Sequence, residues 1–315
     1  MTTPPNFAGV DALARQIFET MVQVPGTKTG HRIVHAKGFV CQGTFTPSHE
    51  ASTLSKAAHF SGPSVPVTVR FSEGAPDPFV PDNSAFAGPR GLAIRFNLAD
   101  GKTSDIVAMS HNGFVVSTGE EFLALQKAVL ATDPSKPHPW PIEQFLGTHP
   151  VALKFVQENA SVPESFATEA FFSNDSFVFV NQSGAKQAVR YKILPTLGVH
   201  RLSEDEAKAK SPDYLMQDLK ARLAKSPVQF RLIAQLPNVG DPTHDPALVW
   251  PEDRRTIDLG TVKVSSSVAD NAAAERELAY FPTNLVDGIE LSDDPFPDLR
   301  SRVYLLASNH RQKNK

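Results

Sequence analysis

The strongest constraint on this chain is that its apolar residues come in short alternating runs. In Pro66-Val67-Thr68-Val69-Arg70-Phe71-Ser72-Glu73, Val67, Val69 and Phe71 fall on one side and Thr68, Arg70 and Ser72 on the other. A period of two is the mark of a strand with one buried face. The pattern returns from His31 to Thr46, through Leu92, Ile94, Phe96 and Leu98, and as a pair of strands from Ile106 to Val116. It returns again near 170–181 and 187–194, and over 228–236 and 256–264. The 26 prolines among 315 residues keep these runs short. Roughly eight short strands would expose many edges, and closing them into an antiparallel barrel removes those edges.

Between the strands the spacing becomes helical. Val10, Leu13, Ile17, Phe18, Met21 and Val22 predict a helix over 8–24, stopped by Pro25-Gly26. Ser117-Thr118 can cap a helix over 119–131 with Phe122, Leu125 and Val129 on one face, and a further pattern covers 142–159. Ser203 with Glu206 forms a capping box, and Pro212 suits the first turn of a helix carrying Tyr214, Leu215, Leu219 and Leu223. A short helix is expected over 271–278, and a last one from Pro297 through Tyr304. Asn181-Gln182-Ser183-Gly184 signals a hairpin. The weakly periodic stretch 237–295 is expected to wrap the outside as an extended connection. The reading is an α+β chain of one domain, 1–315, with residues 1–7 a flexible terminus.

Composition narrows the function. With 41% hydrophobic and 21% charged residues the chain can fill a core. A net charge of -3 with no arginine-rich stripe argues against nucleic acid. The lone Cys41 excludes a disulfide framework and reads as a small buried residue in a strand. No run reaches membrane-spanning length, and Met1 to Phe7 carries neither a basic nor an apolar leader segment. A soluble cytoplasmic protein without a membrane partner is therefore expected. No glycine-rich nucleotide fingerprint is present.

A few residues could carry chemistry. His35 sits among Val34, Ala36 and Gly38, which leave room above its ring; the plainer reading is an ordinary strand histidine. Arg32 and Arg70 lie in strand-like segments and would need an anion if they point inward. Three residues on an ideal strand put Arg32 and His35 on opposite faces, so a shared site needs a bulge or a ligand reached from the rim. Asn112-Gly113 is a hairpin signal by spacing and, functionally, an amide that could orient a substrate oxygen. Tyr304 follows Arg300 by four residues, on one helix face. A guanidinium beside a phenol favours the phenolate, and Arg311 lies about two turns further on.

Val34-His35-Ala36-Lys37-Gly38, Thr68-Val69-Arg70-Phe71-Ser72, Pro89-Arg90-Gly91-Leu92-Ala93-Ile94-Arg95-Phe96, Tyr280-Phe281-Pro282-Thr283-Asn284 and the Arg300/Tyr304 pair together resemble the haem catalases. The likeness runs from about residue 10 to 311 in matching order. It implies a catalase-type antiparallel eight-stranded barrel with surrounding helices, holding haem b. It gives His35 the distal proton-transfer role, Asn112 the peroxide-orienting role and Ser72 the hydrogen bond to His35. Tyr304 matches the proximal iron ligand, the tyrosine known from catalases. Arg32, Arg70 and Arg311 match arginines that pair with haem propionates, Arg300 the partner of the tyrosinate, and Phe122 an aromatic near the haem. The short length resembles the catalase-related peroxidases. That implies a homodimeric peroxidase using peroxide and small organic electron donors in an oxidative stress response, with catalase activity as the alternative. Allene oxide synthases carry Thr before the distal His, where this chain has Val34.

Overall fold

The computed structural model describes residues 7–313. Helix α1 (Phe7–Met21) precedes strand β1 (Gly38–Pro47), and the short helices α2 (Ala51–Leu54) and α3 (Ala58–Ser61) lead to β2 (Val65–Glu73), β3 (Arg90–Asn97) and β4 (Thr103–Met109). Helices α4 (Gly119–Ala131), α5 (Pro141–Thr148) and α6 (Pro150–Asn159) follow, then β5 (Phe171–Phe172), β6 (Phe177–Val180) and β7 (Lys186–Pro195). Next come α7 (Glu204–Lys208), α8 (Tyr214–Leu223), β8 (Val228–Gln235) and β9 (Thr256–Ser267). Helix α9 (Asn271–Glu277), β10 (Ile289–Leu291) and α10 (Phe296–Lys313) complete the described residues.

Eight strands close an antiparallel barrel in the order β1-β2-β3-β4-β5-β7-β8-β9, with β9 pairing back onto β1. Strands β6 and β10 extend β7 outside the ring. The alternation decides which side chains fill the barrel. Phe39 pairs with Phe71, and Phe71 with Leu92, all on the buried face. Phe45 and Phe96 meet edge to face at 5.2 Å, and Phe71 and Phe230 lie 5.9 Å apart. Aromatic rings thus pack the interior, which leaves the outer wall for a ligand. Cys41 is fully buried and free, and burial pushes its thiol up to about 12.

Outside the barrel, α1, α4 and α10 pack on one another. Ala14 and Ile17 of α1, Leu123 of α4, and Leu299 and Val303 of α10 bury together with Ile33. Among the described residues no helix is long and apolar enough to cross a membrane.

Several elements differ from expectation. The strand expected from His31 begins only at Gly38. The pair expected over 106–116 is one strand, Thr103–Met109, followed by a loop. There Val115 and Val116 are buried against Phe145 and Phe155, so an apolar run reflects helix packing and not pairing. The helix over 142–159 divides at His149, which Pro150 drives out of helical conformation. The stretch 170–181 splits into β5 and β6. The flexible terminus expected over residues 1–7 falls, except for Phe7 at the start of α1, outside the described residues.

Candidate active site

His35 is not on a strand. Its φ is +52°, the left-handed region, where a non-glycine residue is strained unless its surroundings hold it. Here they do. The His35 N–H donates to the Gly74 carbonyl at 3.4 Å, and the Arg70 guanidinium donates to the His35 carbonyl at 2.7 Å. This turn is what the sequence pattern needed: it frees Arg32 and His35 from the opposite faces an ideal strand would impose. His35 Nδ1 lies 3.1 Å from Ser72 Oγ. A Cβ on Gly91 would stand 2.6 Å from that oxygen and 2.8 Å from Nδ1, so the ring leans on bare β3 backbone that only glycine provides. Burial, then Arg70, Arg300, Arg32 and Arg90, lower the imidazole to about 3, which keeps it neutral.

Three arginines gather beside this ring around one carboxylate. Arg70 grips Glu275 at 2.7 and 2.8 Å, and Arg32 Nε lies 3.5 Å from the same side chain. Arg32 and Arg311 both donate to the Leu278 carbonyl, at 2.7 and 2.9 Å. Burial works to raise the Glu275 carboxyl, but Arg70 and Arg32 hold it below its ordinary value. The balance is cationic: burial and then Arg70 push Arg32 down to about 9. A buried cluster with more guanidinium than carboxylate is an anion site.

Helix α10 supplies the opposite wall. Arg300 donates to the Tyr304 hydroxyl oxygen through Nε at 3.1 Å and Nη2 at 3.0 Å, and through Nη1 to Asp175 at 2.6 Å. Burial opposes the Arg300 charge, yet Asp175 and Tyr304 raise it above its ordinary value. Two N–H bonds from a cation fix this phenol oxygen in place. Behind Arg300, burial and then the Asp175 charge push Asp294 up to about 8.

The His35 and Arg300 groups are neighbours, since Arg300 is among the charges that act on His35. Val34, beside His35, packs on the same apolar cluster as Tyr304 and Phe122. His35, Arg32, Tyr304, Val34 and Phe122 each keep partial exposure. Burial is nonetheless the largest influence on both His35 and Arg32. Phe122 also stacks at 5.5 Å on Phe114.

Asn112 is not brought to His35 by any contact. Its amide donates to Glu252 at 3.3 Å, and the Gly113 N–H goes to the Asn174 side chain at 3.1 Å, so there is no hairpin either. The residue across β3 from Gly91 is Met109, three positions earlier. Sequence reasoning also missed Glu275, Asp175 and Asp294. Gly91 had a signal, since it stands inside the Pro89 to Phe96 motif.

The residues suit a haem. They offer the phenol oxygen of Tyr304, a neutral imidazole from His35, an arginine cluster short of anions, and an apolar lining. A closed antiparallel barrel with helices on its wall and this pair of facing groups defines a catalase-type fold. The chain belongs to the catalase family, whose model it matches over residues 12–314. A catalase-related peroxidase of Mycolicibacterium paratuberculosis is 35% identical over 282 residues, 89% of this chain and 88% of that protein. One of Synechococcus elongatus is 31% identical over 313 residues, 98% and 91% of the two chains. Catalase isozyme 2 of Cucurbita pepo is 27% identical over 94% of this chain and 63% of its own. In fold, the chain is similar to a fungal catalase with a TM-score of 0.79 and 22% identity. That match covers 90% of this chain and only 60% of the fungal one.

Proposed function

We propose that this chain is a haem-dependent peroxidase that reduces hydrogen peroxide or organic hydroperoxides while oxidising small organic donors. The observation that carries the reading is a neutral His35 bonded to Ser72 beside an Arg300 that holds the Tyr304 oxygen and acts on the same imidazole. The family and the two catalase-related peroxidases support it. Haem b is the group proposed. Tyr304 would hold its iron, Arg32, Arg70 and Arg311 its carboxylates, and Phe122 would border it. When bound, the haem supplies an iron that can take up and pass on the oxidising equivalents of peroxide.

The chain's own residues handle protons. If Nδ1 gives its hydrogen bond to Ser72 Oγ, the Nε2 lone pair is free to take a proton from one peroxide oxygen. The same nitrogen then returns it to the departing oxygen, first base and then acid. An imidazole lowered to about 3 stays neutral through ordinary pH, so this base is not lost near pH 6.5. Arg300 holds the Tyr304 oxygen in place, and the apolar lining excludes water. Asn112 is given no part at the proton.

The test is dye oxidation by hydrogen peroxide in the haem-loaded chain. His35→Ala is expected to lower turnover by about a thousandfold with the haem band retained. Unchanged turnover would refute the assignment. The kinship with plant catalases favours a second reading, disproportionation of hydrogen peroxide. Oxygen evolution measured beside donor oxidation in one sample decides between them. A single haem-binding domain over 1–315, a homodimer and a cytoplasmic location are proposed on the family resemblance. Light scattering and cell fractionation test the last two.

A further inference from the structure

A second recess lies where β3 begins and β4 ends, on the other side of β3 from His35. It holds about 210 Å³ and is lined by Pro89, Arg90, Ser110, His111, Asn112, Glu158, Asn159, Ser161 and Arg201. That volume holds about seven waters at roughly 30 Å³ each, or one small ring with its carboxylate. The strand alternation that turns Gly91 toward the His35 ring turns Arg90 the opposite way, so one strand separates the two sites.

The charges in this recess are unequal. Arg90 is 2% exposed, and its Nε has no hydrogen-bond partner. It donates through Nη2 to the Asp82 carbonyl at 2.6 Å. The carboxylate nearest to it, Glu73, stands 3.8 Å away with neither oxygen hydrogen-bonded. Burial and then Asp82 push Glu73 up to about 8, which weakens it as the counter-charge that the Arg90 Nε faces. Arg201 spends two donors on Glu169, one of them at 2.7 Å, and has others to offer. Glu158, the acid in the lining, is taken up by His111 at 2.8 Å. The lining thus presents two guanidiniums, Arg90 and Arg201, against the one carboxylate of Glu158, and an anion in the recess would balance them. Asn112 and Ser110 add neutral polar groups that orient a ligand.

We propose that this recess binds a small carboxylate-bearing organic molecule, and that such molecules are the electron donors of the reaction. The donor assignment rests on the peroxidase reading; the binding does not. In the reaction, two donors each give up one electron and one proton. The peroxide O–O bond breaks and two O–H bonds form, giving two waters from hydrogen peroxide. The donor binds across one strand from the site of that step.

Binding is measured by calorimetry on the haem-loaded full chain without peroxide. The probes are 4-hydroxybenzoate, its neutral analogue 4-hydroxybenzyl alcohol, and inorganic phosphate. The expected result is saturable binding of 4-hydroxybenzoate, at least tenfold tighter than either other probe. Arg201→Gln is expected to weaken that binding about tenfold without moving the neutral analogue. Because Arg201→Gln strips Glu169 of its partner, Ser161→Asp serves as a second variant. Ser161 is exposed, and a carboxylate there should repel the probe by a similar factor. Equal binding of the alcohol or of phosphate, or no loss in Ser161→Asp, overturns the carboxylate site. With binding established, oxidation of the neutral analogue at least as efficient as that of 4-hydroxybenzoate overturns the donor role. Tight binding with no oxidation of any donor by peroxide overturns the peroxidase reading and leaves the site standing.

Discussion

Asp294 carries the clearest consequence of a single side chain. It is 5% exposed, accepts from the Phe296 and Ser176 N–H groups at 2.9 and 3.2 Å, and faces the charge of Asp175. Burial and that charge lift it from 3.8 to about 8. An acid lifted in the fold keeps a proton that the unfolded chain gives up. Its stabilisation is therefore complete below pH 3.8, declines as pH rises toward 8, and is level above. Asp294→Asn removes the titration and changes one hydrogen bond by an amount independent of pH. The denaturant midpoint should therefore fall less steeply from pH 5 to pH 8 in the variant than in the wild type. Parallel lines would mean that Asp294 ionises normally. Glu73, also pushed to about 8, contributes the slope that remains.

At the scale of elements, α10 owes its position to α1. Ile17 is 1% exposed and buries with Leu299 and Val303, the residues immediately before Arg300 and Tyr304. Ile17→Ala should cost about 2–4 kcal/mol in a denaturant titration. Amide exchange should rise in α10 beyond its rise in the barrel strands; uniform exchange would show that α1 does not hold α10. How much of this was legible depends on where each element's partners lie. Helix α4 was readable to the residue, because Thr118 and Glu121 make a local capping box. Strand β2 was readable to within a residue, because alternation is local too. His35 was right as a residue and wrong as an element. The alternation seems to continue through it, but its left-handed turn is imposed by Arg70, 35 positions away. Glu275 gave no signal, since its partners stand 205 and 243 positions off. Asn112 donates to Glu252, and its turn-like dipeptide says nothing of which wall it serves.

For the whole molecule the decisive event is the closure of β9 onto β1. The first and ninth strands are joined late, after more than two hundred residues of intervening chain, and both walls of the cleft hang on the closed ring. The seam is tight at Gly260, whose φ is +136°. A Cβ there would stand 2.2 Å from the Thr46 carbonyl oxygen and 2.8 Å from the Pro47 Cα. Those neighbours are backbone and cannot turn aside as a side-chain tip could. Gly260→Ala should therefore cost about 3 kcal/mol or more, from backbone strain together with overpacking. Gly240 gives the comparison. It also has a positive φ, +94°, but a Cβ there would meet nothing within 4 Å. Gly240→Ala should show the strain alone, about 1 kcal/mol. Denaturant midpoints of the two variants, measured side by side, separate strain from closure. If the two fall by equal amounts, the seam is not what holds the barrel shut. If only Gly260→Ala collapses, and haem uptake collapses with it, the cleft depends on closure of the ring and not on the helices alone.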